Sequence, residues 1–174
     1  REIEGFSKQR TADGFSSLQN EYVLHFVVQF SKPFESFGTW DNDDVQNDTY
    51  EVHGKDDIGC FVDYKTEAGE VIQVKSGISL VSVEQARLNL ETETNPFGWD
   101  FDAAREHARN TWNELLSTVK VEGGTLQDRI KFYTNFYRSY AARTIWNDVN
   151  GKYVDMNEQI CQLKDPDAAV LGCD

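Results

Sequence analysis

The chain has 174 residues, 39% apolar and 13% aromatic, which is enough to fill one core of ordinary size. Its 17 basic and 30 acidic side chains give a net charge of −13, which disfavours nucleic acids and anionic lipids, because cationic side chains bind both. No apolar run approaches the roughly 20 residues of a membrane span, and the opening REIEGFSKQR lacks the apolar core of a signal peptide.

The first part of the chain has the alternating pattern of antiparallel β structure. The clearest strand covers residues 21–34, where large apolar side chains occupy one face and half of the other. Pro33 ends this strand because it cannot donate to a ladder. Both faces are therefore expected to be covered, as in one layer of a sandwich, and His25 is expected to be packed rather than catalytic.

The following segments predict a loop and a hairpin. Residues 37–48 are rich in Gly, Asp and Asn, which predicts a loop carrying Trp40. Residues 60–66 and 70–81 predict two strands joined by a turn at residues 67–69. Gly77, inside the second strand, predicts a bulge or a close backbone approach.

Beyond residue 80 the apolar spacing changes to the helical one. Ser82 followed by Gln85 has the capping-box pattern, which predicts the start of a short helix. The sequence NPFG at residues 95–98 interrupts that helix. Asp100 or Asp102 then caps a longer amphipathic helix.

A further helix follows Gly123 and Gly124, with Thr125 and Asp128 at its start. Aromatic and apolar residues repeat along it at helical spacing, and such a stripe is more often core than ligand site. The stripe is wide: Leu126, Ile130, Phe132, Tyr133, Phe136, Tyr137 and Tyr140. Covering it needs more protein than the remaining residues supply, so we expect the chain to be incomplete.

The three cysteines do not form a disulfide framework. Cys161 and Cys173 could pair across a loop, leaving Cys60 buried in a strand, although free, inert thiols are the default. No CxxC or HxxxH spacing indicates a metal site within the chain.

The segment TIWNDVNGKY, residues 144–153, is a loop by its Asn, Asp and Gly content. It brings an indole, amides, a carboxylate and a phenol together, which is chemistry that can stack on a sugar ring and bond its hydroxyls. Trp146, Asp148 and Tyr153 are therefore candidate substrate-binding residues. The alternative is a hydrogen-bonded turn that seats the neighbouring helix, and local composition alone favours that turn.

Four segments closely resemble glycoside hydrolase family 92, the calcium-dependent exo-acting α-mannosidases. They are FSKPFESFGTW, SGISLVSVEQARLNLETE, WDFDAAREHARNTWNELLSTVKVEGGT and IKFYTNFYRSY with IWNDVNGKY, and they occur in order across most of the chain. The resemblance implies a mixed β and α fold: an antiparallel β-sandwich portion, then a helical linker and the first helix of an (α/α)6 barrel. The implied domains are residues 1–98 for the sandwich, 99–120 for the linker and 121–174 for the start of the barrel.

The resemblance also implies an activity. Family members remove terminal α-linked mannose from glycans with inversion, by general acid and base catalysis with calcium assistance. Their acid, base and calcium ligands lie beyond this chain, so the implied contribution here is scaffold and pocket rim, with Trp146, Asp148 and Tyr153 on the rim. Residues 141–143 depart from the family's His-Pro pair.

The implied partners are mannose-containing glycans and the remaining segments of the same enzyme, and the implied location is periplasmic, cell-surface or secreted. Two other hypotheses stay open for the isolated chain. One is a carbohydrate-binding module that uses Trp40 or Trp99 without catalysis, and the other is a purely structural domain.

Overall fold

The computed structural model describes residues 1–10, 21–140, 145–165 and 168–170, apart from the side chains of residues 9 and 10. The strands are β1 (Glu2–Arg10), β2 (Glu21–Phe30), β3 (Ser36–Asp41), β4 (Asp44–Asn47), β5 (Ile58–Asp63), β6 (Val74–Ser79), β7 (Lys152–Val154) and β8 (Ile160–Gln162). The helices are α1 (Val83–Thr94), α2 (Phe101–Leu116) and α3 (Leu126–Tyr140), with a 3-10 turn at Asn95–Phe97 between the first two.

The strands form sheets of order β1-β2-β6, β4-β3-β5 and β7-β8. The pairs β3–β4, β3–β5 and β7–β8 are antiparallel. The predicted fold class, antiparallel β structure followed by helices, is confirmed. The chain falls into two compact units, one of Arg1–Ile3 with Val28–Ser76 and one of Glu4–Val27 with Gly77–Asp174.

In the first unit, the predicted loop at residues 37–48 is wrong, because β3 and β4 form a hairpin there. Its turn is Asn42 and Asp43, and Asn42 adopts a left-handed φ of 53° that asparagine tolerates. Gly38 is needed for packing, since a Cβ there would lie 2.4 Å from the carbonyl oxygen of Gln46. The Gly, Asp and Asn content thus marks a tight turn between short strands.

The predicted pairing of residues 60–66 with 70–81 is also wrong. β5 pairs with β3, while β6 lies beside β2 in another sheet. The expected turn does exist: the amide of Glu70 donates to the carbonyl of Glu67 at 3.1 Å, and Gly69 has φ 82°. It joins two sheets, because six residues of β5 find partners along β3. Cys60 lies in β5, a strand as predicted, but it is exposed and not buried.

The second unit has a small core where α1 packs on β6. Val27, Ala86 and Leu90 are the buried apolar residues of the described chain, and Val83 packs against them. The predicted close approach at Gly77 is confirmed, because a Cβ there would lie 2.4 Å from the carbonyl oxygen of Ala86 and 2.6 Å from the Cβ of Leu90. A glycine in β6 therefore lets the backbone of α1 lie directly on the strand.

The predicted helix starts are confirmed, with one refinement. Ser82 Oγ accepts from the amide of Gln85 at 3.2 Å, but the Oε1 of Gln85 is buried without a hydrogen-bond partner among the described residues, so half of the capping box forms. Of the two candidate caps for α2, Asp100 is the one used, because its Oδ1 accepts from the amide of Ala103 at 3.0 Å. Asp102 forms an ion pair with Arg105 instead.

At the start of α3, the carboxylate of Asp128 accepts from the amide of Thr125 at 3.0 Å and from its hydroxyl at 2.7 Å, as predicted. The aromatic stripe is not core in this structure, because no residue of Leu126–Tyr140 is buried. Trp112 of α2 covers part of it, with its ring centroid 4.6 Å from that of Tyr137. Leu126, Ile130, Tyr133 and Tyr137 line an open apolar groove on α3.

Candidate functional site

The sugar-binding candidates lie on one short segment, residues 145–154, which we call the rim segment. A tight turn shapes it: the amide of Gly151 donates to the carbonyl of Asp148 at 2.8 Å, and the amide of Asp148 donates to the carbonyl of Lys152 at 2.8 Å. Gly151 adopts φ 82°, a conformation that favours glycine. The turn leads into β7, where Tyr153 lies opposite Cys161 of β8.

Asp148 points into the protein. It is 5% exposed. Its Oδ2 accepts from the hydroxyl of Ser79 at 2.9 Å, and its Oδ1 accepts from the Nδ2 of Asn89 at 2.7 Å. Ser79 ends β6 and is itself buried, while Asn89 lies on α1. We call Asp148, Ser79 and Asn89 the Asp148 cluster.

The two donors of the cluster are held in turn by the backbone. Ser79 Oγ accepts from the amide of Val81 at 2.9 Å, which leaves its own proton for Asp148. Asn89 donates from Nδ2 to the carbonyl of Ile78 at 2.9 Å, and its Oδ1 accepts from the amide of Val149 at 3.0 Å. The amide of Asn89 therefore joins the backbones of β6 and the rim segment, and all of its polar atoms are used.

Trp146 faces outward in part, with 39% of its surface exposed. Its ring nitrogen donates to the carbonyl of Val154 at 3.0 Å, and its amide donates to the carbonyl of Val170 at 2.8 Å. The neighbouring Asn147 accepts from the amide of Val170 at 2.8 Å. The indole is thus fixed at its ring nitrogen and remains partly exposed to solvent, so it can stack on a sugar ring.

Tyr153 is half-buried in β7. Desolvation raises the pKa of its phenol above the ordinary value, and the nearby Cys161 thiol and Asp155 carboxylate raise it further. The phenol therefore stays protonated across the physiological range and can donate a hydrogen bond.

The three predicted residues lie on one segment, but the structure gives them different surroundings. Trp146 is partly open, Tyr153 is half-buried and Asp148 is enclosed by hydrogen bonds of the kind that the turn hypothesis expects. Their assignment to substrate binding stays a prediction.

Sequence reasoning missed the other two members of the cluster. Asn89 carried a usable signal, because it lies one position before the buried Leu90 and three after the buried Ala86, and is a polar residue on an apolar helix face. Ser79 lay two residues after Gly77 on the inward face of β6, which was a weaker indication.

Within residues 1–10, 21–140, 145–165 and 168–170, no three His, Cys, Asp or Glu side chains are grouped as metal ligands. The possible Cys161–Cys173 disulfide involves a residue outside the described part of the chain. No described helix has the length and apolar character to cross a bilayer.

Two family models match the chain in order. Residues 1–79 match the glycosyl hydrolase family 92 N-terminal domain, and residues 85–169 match the glycosyl hydrolase family 92 catalytic domain. The predicted bounds at residues 98 and 120 stay a prediction. An uncharacterized secreted glycosidase of Arthroderma benhamiae is 30% identical over 85 residues, which are 47% of this chain and 11% of that protein.

Solved structures share the fold. A family 92 inverting mannosidase from Bacteroides thetaiotaomicron superposes with a TM-score of 0.75 at 23% identity, over 95% of this chain and 22% of that one. A family 92 glycosyl hydrolase superposes with a TM-score of 0.81 at 24% identity, over 98% of this chain and 22% of that one. A family 92 α-mannosidase, also from Bacteroides thetaiotaomicron, superposes with a TM-score of 0.70 at 22% identity, over 83% of this chain and 20% of that one. The chain spans about a fifth of the length of these structures.

Proposed function

Since this chain belongs to glycoside hydrolase family 92, we propose that the glycosidase carrying it removes terminal α-linked mannose from glycans. The observation that carries the proposal is the ordered match to both the N-terminal and the catalytic domain of the family. Similar folds in proteins described as an inverting mannosidase and an α-mannosidase support the choice of mannose.

The proposed reaction is hydrolysis with inversion. One carboxylic acid protonates the leaving oxygen, and a carboxylate on the opposite face of the sugar activates water, with the two groups about 6.5–9.5 Å apart. We assign neither role to this chain. The acidic residues of the β3–β4 hairpin turn, 41–44, and those at 56–57 are exposed, whereas a catalytic acid needs an environment that raises its pKa.

This chain would supply scaffold and the rim of the pocket. The exposed part of Trp146 is proposed to stack on a sugar ring, and the phenol of Tyr153 to donate to a hydroxyl. Asp148, which was predicted alongside them, reaches a sugar only by giving up its bonds to Ser79 and Asn89. The remaining segments of the enzyme complete the site in this proposal.

Calcium is proposed as the cofactor of the complete enzyme, with oxygen ligands supplied by the remaining segments of that enzyme. A secreted, cell-surface or periplasmic location is proposed as well. The resemblance to a protein described as a secreted glycosidase supports an extracytoplasmic location.

The test uses the full-length protein. We expect it to release mannose from para-nitrophenyl α-mannoside and from α-linked mannobioses, with β-mannose as the first product seen by proton NMR. Removing calcium with a chelator should abolish the activity, and adding calcium back should restore it. The 174-residue chain alone should be inactive. Activity confined to other glycosides, or mannosidase activity that resists chelation, contradicts the respective part of the proposal.

A non-catalytic carbohydrate-binding role is the second candidate, favoured by Trp99, which is 39% exposed. Trp40 is a weaker candidate, because a Cβ at Gly59 would lie 2.1 Å from its ring, so the indole packs directly on the strand. Calorimetric titration of mannobiose into the chain tests this carbohydrate-binding role. Saturable binding that is lost in Trp99→Ala supports the role, and the absence of binding contradicts it.

A further inference from the structure

The Asp148 cluster joins parts of the chain that are distant in sequence. Asp148 lies 69 residues from Ser79 and 59 residues from Asn89, yet it bonds both. Its side chain is enclosed, with 5% of the residue exposed. A carboxylate so far from solvent is costly unless its oxygens are hydrogen-bonded, and here each oxygen has a donor.

We propose that Asp148 is a positioning residue: its carboxylate, held by Ser79 and Asn89, fixes the rim segment against β6 and α1, and so sets where Trp146 and Tyr153 stand. The proposal rests on the proposed function for its consequence in catalysis. Its structural part, the fixing of the rim segment, stands on the geometry alone.

The direction of the hydrogen bonds favours a carboxylate at this position. The hydroxyl of Ser79 accepts from Val81, so its proton is available to Asp148. One hydrogen of the Asn89 amide goes to Ile78, and the other is directed at Asp148. Both neighbours therefore donate, and a side chain with two accepting oxygens satisfies both, whereas an asparagine would set one of its own donors against a donor.

The same bonds reach the backbone of the rim segment. Asn89 accepts from the amide of Val149, and the amide of Asp148 itself closes the turn onto Lys152. Removing the carboxylate leaves one buried donor, Ser79, and one half-buried donor, Asn89, unpaired, and removing Asn89 also frees the amide of Val149. Either change is expected to loosen the turn. It should also weaken the hydrogen bond from the ring nitrogen of Trp146 to the carbonyl of Val154.

The experiment compares variants of the full-length protein: Ser79→Ala, Asn89→Ala, Asp148→Ala, Asp148→Asn and the double variant Ser79→Ala with Asp148→Ala. The matched control is Ser36→Ala, because Ser36 donates to Asp63 at 2.7 Å in a similar serine–carboxylate bond that is exposed. Hydrogen exchange in peptides covering residues 145–154 measures the fixing of the segment. The values of kcat and KM for an α-linked mannobiose measure its consequence.

We expect Ser79→Ala and Asp148→Ala each to speed exchange in the rim segment by about 10- to 100-fold, the range set by leaving buried donors unpaired. Exchange in the double variant should be no faster than in Asp148→Ala, since both single changes break the same Ser79–Asp148 bond. Asp148→Asn should fall between Asp148→Ala and wild type. In each variant kcat/KM should fall mainly through KM, because the rim binds sugar without touching the reacting bond. Ser36→Ala should match wild type.

Two outcomes overturn the proposal. The first is wild-type exchange in Ser79→Ala, Asn89→Ala and Asp148→Asn. The second is a loss of kcat/KM in Asp148→Ala that is absent from Ser79→Ala and Asn89→Ala, which would make Asp148 a substrate contact. If Asp148→Ala does not fold, hydrogen exchange over residues 145–154 in Ser79→Ala and Asp148→Asn tests the proposal instead. A wild-type protein without mannosidase activity refutes the proposed function, while the exchange measurements still decide the structural part.

Discussion

Replacing Gly77 with alanine tests how α1 is seated on β6. The added Cβ would lie 2.4 Å from the carbonyl oxygen of Ala86 and 3.1 Å from the amide nitrogen of Leu90. Both are backbone atoms of α1 and cannot rotate aside. Reaching an ordinary contact distance therefore requires α1 to move by about 1 Å, which separates Ala86 and Leu90 from Val27 in the core.

The cost follows from that displacement. Overpacking a close-packed site typically costs about 1–3 kcal/mol, and the backbone clash at Gly77 places this variant at the upper end, about 2–3 kcal/mol. Since 1.4 kcal/mol is a factor of ten, amides of α1 should exchange roughly 30- to 150-fold faster in the full-length protein. Hydrogen exchange monitored by mass spectrometry over peptides from residues 83–94 gives this ratio directly.

Gly69→Ala is the matched control. No atom lies within 4 Å of a Cβ at Gly69, although its φ of 82° makes alanine strained there. It should cost about 1 kcal/mol and act on the turn at residues 67–70, without changing exchange in α1. Exchange in α1 that stays within about threefold of wild type in Gly77→Ala would refute the reasoning, because α1 would then tolerate a side chain on the strand beneath it.

Two further expectations concern local caps and pH. Asp100→Ala removes the N-cap of α2 and should weaken its first turn by about 1 kcal/mol, seen as faster exchange there, whereas Asp102→Ala should leave that cap intact. Hydrogen bonds from the backbone amides of Gln159 and Asn157 lower the pKa of Asp155. The stabilising contribution of the Asp155 carboxylate should therefore be complete above the ordinary aspartate pKa of about 3.9, and it should be lost as pH falls through the lower pKa of the folded state. Hydrogen exchange at residues 155–160 should then differ between wild type and Asp155→Asn near neutral pH and converge in acid. A gap between the two that persists in strong acid, or α2 exchange unchanged in Asp100→Ala, would contradict the respective expectation.

Helix starts could be predicted from the sequence because a cap is a contact between residues three apart. Ser82, Asp100 and Thr125 with Asp128 each act within their own first turn, so the surrounding structure changes them little. Gly77 belongs to the same class in part: the sequence indicated a special backbone position, and the packing of α1 explains it.

Strand pairing could not be predicted in the same way. The rule that neighbouring strands form a hairpin failed for residues 60–66 and 70–81, since β5 found its partner in β3 and β6 lies beside β2. Composition also misled at residues 37–48, where the residues of a loop and of a tight hairpin turn are the same. Pairing is decided by which distant segments bury their faces together, and a local pattern does not contain that information.

The same division applies to the candidate site. The sequence by itself determined the change from strands to helices beyond residue 80 and the resemblance to family 92. It also determined the grouping of Trp146, Asp148 and Tyr153 on one segment, because all three lie within eight residues. Only the tertiary structure decided that Asp148 turns inward. Its donors, Ser79 and Asn89, are 69 and 59 residues away, and folding alone brings them to its carboxylate.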